Sequence, residues 1–256
     1  MDAPLGSADE SAARFDQREL HDLLRGLSGE LCRPLASMRM GFDLLMSDEA
    51  SALAVSRGGH VDTLRGLCDE LLRLTRSYLD YAEVLRASRA PSLGAYSLGA
   101  LVGEVDRGFA TDARRKGLDW SAEAVDDGAL VVTDAARWQR IAGALVSNAI
   151  KFTPPGGRVQ VVGRIEADRF SLAVLDDGPG MSLEEARRVF EPFYRLARDE
   201  YAVEGNGLGL SIARELAGQI GGRVELAPRA EGGVAALAAF PRSAAVDRLD
   251  RGRDKS

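Results

Sequence analysis

At 256 residues the chain has room for one large domain or two modest ones, and 45% hydrophobic with 28% charged residues is ordinary for a globular protein. A net charge of -6 argues against a sequence-independent nucleic-acid binder, whose affinity would come from clustered Lys and Arg. Cys32 and Cys68 with His21 and His60 are too few for a clustered zinc site, and both cysteines fall in helical apolar patterns, so they read as buried free thiols in a reducing compartment. No apolar run approaches the ~18 residues of a membrane span, and no signal peptide is recognisable, so a cytoplasmic location is expected.

Residues 1–15 are small and polar, and residues 243–256 form a charged run without periodicity; both are expected to be disordered. From 16 to about 90 two helices are predicted. The first carries Leu20, Leu24, Leu27, Leu31, Leu35, Met38, Phe42 and Leu45 at steps of three and four. The second carries Val61, Leu64, Cys68, Leu71, Thr75, Tyr78, Ala82 and Leu85. "SDEASALAVSRGG" between them reads as the turn of an antiparallel helical hairpin. Two apolar stripes on one hairpin leave surface to cover, and pairing with a second copy into a four-helix bundle would cover it.

"RASRAPSLGAYS" reads as a linker, and a second domain is expected from 91 to 242. A helix carries Leu98, Leu101, Val102, Val105 and Phe109. Short strands follow in "GLDWSAEA" and "ALVVT", then a helix over 134–151, strands "RVQVVGRIE" and "RFSLAVLD", and a short helix from Ser182. A Gly-rich loop opens a helix at 207–220, and strands "RVELAP" and "VAALAAF" complete the series. The class is α+β: a helical hairpin followed by a two-layer α/β sandwich.

Three stretches of that second domain carry chemistry. Asn148 and Lys151 lie three residues apart on one face of a helix whose Ile141, Leu145 and Ala149 point elsewhere. An amide oxygen can ligate Mg²⁺ and a lysine can neutralise phosphate, although an exposed polar stripe would look the same. Lysine occurs otherwise only at 116 and 255. In "LDDGPGMS", Asp176 ends a strand before Gly178 and Gly180; a carboxylate there can accept a hydrogen bond from a purine amino group, or the segment is an ordinary turn. In "EGNGLGL", Gly205, Gly207 and Gly209 precede a helix, an arrangement open to phosphate.

The order of these motifs, with "FEPFYR" at 190–195 between the last two and a helical hairpin in front, resembles the sensor histidine kinases of two-component systems. The resemblance runs from about residue 20 to 240. It implies a gyrase-type ATP-binding sandwich in which Asn148 ligates Mg²⁺, Lys151 meets the phosphates, and Asp176 recognises adenine. By the same resemblance the loop with Gly205, Gly207, Leu208 and Gly209 forms a lid, Phe190 and Phe193 pack at its base, and Arg195 reaches a phosphate. A response regulator or partner histidine kinase and a second copy of the chain are the implied partners.

The first helix departs from that family. Its His-Glu pair corresponds to "SGELCRPL", where Glu30 is kept as a remnant of the base but the acceptor position is Gly29. Phosphoryl transfer needs an acceptor atom in line with the leaving group, and glycine has none. Arg33 stands where the family often has Thr or Asn. His21 lies eight residues earlier, about 12 Å along a helix at ~1.5 Å per residue, and His60 falls near the hairpin tip. Ala144, where many relatives carry Asn, and Asn206 in the glycine loop are further departures. The expectation is a dimeric, ATP-binding, degenerate kinase. Two alternatives are a phosphotransferase acting on a histidine of a partner chain and a serine kinase of the anti-sigma type, the latter disfavoured by the hairpin and "FEPFYR".

Overall fold

The computed structural model describes residues 37, 39–40, 54–86, 90–125, 128–166, 168–196 and 206–242. Of the first predicted helix only Ser37, Arg39 and Met40 are among them, and these are helical; His21, Gly29, Glu30, Cys32, Arg33 and Gly205 lie outside the described residues, as do both termini. The chain divides into two units, Met1–Glu83 and Val84–Ser256.

The described part of the first unit is almost all helix α1 (Ala54–Arg86), which continues three residues into the second. It begins earlier than the turn signals suggested. Arg57, Gly58 and Gly59, read as part of the hairpin turn, are helical. A glycine costs a helix interior only about 1 kcal/mol relative to alanine, and the long amphipathic stretch behind the pair outweighs that. Nor is the apolar stripe a single line. Leu64 and Tyr78 are buried and Leu71 half-buried, while Cys68, Leu72, Thr75 and Leu79 form an adjacent, exposed line at the same helical spacing. Cys68 is therefore a free, exposed thiol, not the buried one its neighbours implied.

In the second unit the order is β1 (Gly94–Ser97), α2 (Leu98–Arg115), β2 (Asp119–Ala124), β3 (Leu130–Thr133), α3 (Ala135–Phe152), β4 (Arg158–Ile165), β5 (Arg169–Asp176), α4 (Leu183–Arg188), α5 (Gly209–Gln219), β6 (Arg223–Pro228) and β7 (Val234–Pro241). Five strands form one sheet in the order β2-β4-β5-β7-β6, in which only β2 and β4 run parallel. The sequence reading placed each of these strands but missed β1, which pairs antiparallel with β3 in a separate ribbon, Ala95 opposite Val132. "GAYS" lacks the alternation of a half-buried strand; its partner across the ribbon specifies it.

The period of two assigns one sheet face to the core. Val159, Val161, Phe170, Leu172, Val174, Val224, Ala236, Ala238 and Phe240 are buried and join the apolar sides of α2, α3 and α5 in one cluster. In register, Val161 faces Val174, Val174 faces Ala236, and Leu172 faces Ala238, so these residues stack across three strands. The opposite face exposes Arg164 and leaves Gln160 and Val162 half-buried. Helices thus cover one side of the sheet, a two-layer arrangement. α3 lies within that layer, burying Trp138, Ile141, Ala142, Leu145, Val146 and Ala149. Its N-terminus is capped by Asp134, whose carboxylate accepts the N–H of Arg137 and also that of Ser92.

Candidate functional site

A cavity of about 340 Å³ opens between the C-terminal half of α3, the end of β5 and the start of α5. Asn148 and Lys151 reach it from α3. Residues 145, 149 and 142 of that helix point into the core, and the 3.6-residue period turns 148 and 151 away from the buried side. Both are half-buried. The Asn148 amide makes no hydrogen bond to any described residue, so its oxygen is available to a ligand. The Lys151 ammonium lies 5.2 Å from the centre of the Phe152 ring.

Asp176 forms the opposite wall. It is the last residue of β5, placed on the core-facing side by the strand's alternation, and its side chain is buried. Oδ1 accepts the N–H of Gly178 at 2.8 Å and of Val234 at 3.2 Å. Oδ2 has no hydrogen-bond partner among the described residues and can accept a donor from a ligand. Burial pushes the carboxyl above its usual range, and the two backbone N–H groups, with the Arg229 cation, partly offset this.

Two glycines make this corner possible. Gly233 has φ +81, and a Cβ there would lie 1.8 Å from the Asp176 carbonyl oxygen. The β6–β7 turn can therefore approach Asp176 only because residue 233 has no side chain. Gly207, φ +70, would meet the backbone of Phe193 at 2.8 Å. The N–H of Phe193 donates to the carbonyl of Gly207 at 3.1 Å, and Phe193 itself has φ +65, an uncommon conformation for a residue with a side chain. "FEPFYR" and the glycine loop, separate in the sequence, are thus joined through their backbones.

The cavity gathers Asn148, Lys151, Asp176, Gly180, Arg195, Gly207 and Gly209 from the residues singled out in the sequence. Gly178 sits behind Asp176 as a donor to its carboxylate, Leu208 is buried beneath the loop, and Phe193 braces Gly207 without lining the cavity. The buried Phe190 lies under the Arg214 guanidinium, 5.4 Å from its ring centre. Sequence reasoning missed Tyr194, which lines the cavity with the Arg188 guanidinium 4.3 Å from its ring centre, and Met181. It also missed Arg229, whose Nη1 donates to the Asp176 carbonyl at 2.7 Å and to Asp177 Oδ1 at 3.0 Å. Nothing local in "APRAEGG" marks that arginine for the site, since Asp176 and Asp177 lie more than fifty residues away; its local partner is Glu231, at 3.5 Å.

The arrangement offers a buried carboxylate on one wall, an uncommitted amide and an ammonium on the other, and glycine backbone at the mouth: groups suited to a purine at one end and phosphates at the other. Among the described residues no group of three or more His, Cys, Asp or Glu could hold a metal ion. Asn148 fits a hard divalent cation as one oxygen donor, with phosphate oxygens and water supplying the others.

Residues 133–244 match the family described as histidine kinase-, DNA gyrase B-, and HSP90-like ATPase. The signal transduction histidine-protein kinase/phosphatase MprB of Mycobacterium tuberculosis is 31% identical over 207 residues, covering 80% of this chain and 40% of that protein. The chain thus spans about 40% of the length of such curated relatives. Among solved structures, full-length ShkA in complex with AMPPNP matches 75% of this chain and 40% of its own, with 26% identity and a TM-score of 0.61. The histidine kinase ThkA in complex with the response regulator TrrA matches 94% of this chain and 68% of its own, at 22% identity and a TM-score of 0.71, which speaks for the fold.

Proposed function

Since residues 133–244 form a histidine kinase-, DNA gyrase B-, and HSP90-like ATPase domain in a chain homologous to sensor histidine kinases, we propose a two-component signalling protein that binds Mg·ATP and does not phosphorylate itself at position 29. The observation that carries the nucleotide part is the convergence on one cavity of the buried Asp176 carboxylate, Asn148, Lys151 and the glycines 207 and 209. Asp176 takes the adenine amino group on Oδ2, Lys151 and Arg195 face the phosphates, and Asn148 offers its oxygen to Mg²⁺. Bound there, Mg²⁺ would neutralise charge between the phosphates. By the resemblance, the loop with Gly205, Gly207, Leu208 and Gly209 is their lid, and Phe193 braces Gly207. A relative of similar fold crystallised with AMPPNP supports this reading.

The degenerate part rests on the sequence: Gly29 beside Glu30 provides no atom to receive phosphate. Such a protein acts by binding. The fold it shares with a kinase held in complex with a response regulator supports a regulator as what it binds; a partner kinase is the other partner that the resemblance implies. The exposed line of Leu72 and Leu79 on α1, at 55% and 66% exposure, supports pairing with a second copy through the helical unit.

Thermal unfolding with Mg·ATP tests the nucleotide site. At ~100 times its dissociation constant the ligand stabilises the fold by about 2.7 kcal/mol, so the melting temperature rises by several degrees, and the rise is lost in Asp176→Ala. A wild-type melting temperature unmoved by saturating Mg·ATP contradicts the assignment.

A further inference from the structure

The carbonyls that end α3 have an unusual need. In a helix the oxygen of residue i is met by the N–H of residue i+4, and the last turn leaves such oxygens to be satisfied by other means. α3 ends at Phe152, and Thr153 turns to an extended conformation with φ -73 and ψ 126, so no left-handed glycine closes the turn. Thr153 returns both its N–H and its hydroxyl to the oxygen of Ala149, at 3.0 and 2.7 Å. The next two oxygens, of Ile150 and Lys151, would look to residues 154 and 155, and both are proline. Neither has an N–H to give.

One side chain takes their place. The Lys116 ammonium donates to the Ile150 oxygen at 2.7 Å and to the Lys151 oxygen at 2.6 Å. It also sets a positive charge against the negative end of the helix dipole. Lys116 is held there by its own backbone: it ends α2, Gly117 and Leu118 close that helix by bonding back to Arg114 and Ala113, and the carbonyl of Gly117 accepts the N–H of Gly156. Asp119 N–H then bonds the carbonyl of Gly157, so the corner after α2 and the corner after α3 are stitched along their length. Lys116 does not line the cavity. Its reach is to the backbone of the turn that presents Asn148 and Lys151 to it.

We propose that Lys116 is a positioning residue for the phosphate end of the cavity, holding the last turn of α3, and with it Asn148 and Lys151, in the geometry that receives Mg²⁺ and phosphates. This rests on the nucleotide reading above, and it is specific: the adenine end, built on Asp176 and the β6–β7 turn, does not depend on Lys116. Partial burial lowers the lysine's pKa; donation to the two carbonyls favours the ammonium form and opposes that shift.

The test compares the full chain with Lys116→Met and Lys116→Arg. Mg·AMPPNP and adenosine are titrated by calorimetry, and amide exchange over residues 150–153 is followed without nucleotide. Lys116→Met should weaken Mg·AMPPNP about tenfold, the equivalent of one lost hydrogen-bonding partner, leave adenosine within about twofold, and speed exchange in the last turn of α3. Lys116→Arg, which keeps a cationic donor, should recover most of the loss. A merely structural lysine would lower the melting temperature while leaving the two affinities in their wild-type ratio, and that result overturns the proposal. So does unchanged exchange in Lys116→Met. If the wild type binds neither ligand, the nucleotide reading itself falls and takes the positioning role with it, while the exchange readout still decides separately whether Lys116 secures the helix end.

Discussion

Asp176 sets two demands against each other. Its buried carboxylate accepts two backbone N–H groups on Oδ1, yet burial dominates and raises its pKa. An acid whose folded pKa is raised binds its proton more tightly when folded, so the stability it contributes is present below its unfolded pKa and lost as pH rises through the folded one. Asp176→Asn keeps an Oδ1 acceptor and removes the charge. It should melt higher than wild type at neutral pH in the absence of nucleotide, with the difference vanishing in acid, while losing most of the Mg·ATP shift. Melts across pH check this, and a variant less stable than wild type at pH 7 contradicts it. Gly233→Ala should be severe, costing roughly 3 kcal/mol or more, because the added carbon lies 1.8 Å from the Asp176 oxygen in a left-handed conformation. Denaturant unfolding measures that cost. Of these residues, Asp176 was legible from its place at the end of an apolar strand; Gly233 and Arg229 were not, because their need arises only when the β6–β7 turn folds back over residue 176.

Among the elements, those with a clear period were legible: α2, α3, β4, β5 and β7 each show the spacing of their buried side. β1 was not, since four residues with mixed burial carry no period, and the early start of α1 was hidden by a Gly-Gly pair that usually marks a turn. Asp134 shows how an element's end can matter beyond itself. It caps α3 through the Arg137 N–H and holds Ser92, which precedes β1, so one carboxylate ties the entry of the domain to the helix that bears Asn148. Asp134→Ala should cost about 1 to 2 kcal/mol by thermal or denaturant unfolding, and Asp134→Asn, which keeps the acceptor, should cost less. On α1, the proposed pairing predicts a dimer that Leu72→Glu with Leu79→Glu converts to a monomer by sedimentation or light scattering, with the Mg·ATP shift left in place. A mass unchanged by both charges would remove the exposed line from the dimer interface.

For the whole molecule, the motif order made the class of the second domain readable before any geometry, because Asn148, Asp176 and the glycine loop must be read together to mean anything. The cavity adds that they do converge, and adds the support behind them: Lys116 under α3, Arg229 behind Asp176, Phe193 against Gly207. In the proposed function Asn148, Lys151 and Asp176 serve the nucleotide, while Gly29, at the position the resemblance assigns to the acceptor, has no side chain to take its phosphate. The direct test is incubation with γ-labelled ATP and Mg²⁺ of the wild-type chain and of Gly29→His. The account predicts no acid-labile, base-stable phosphate on the wild type and its appearance on Gly29→His. Such phosphate on the wild-type chain would contradict it.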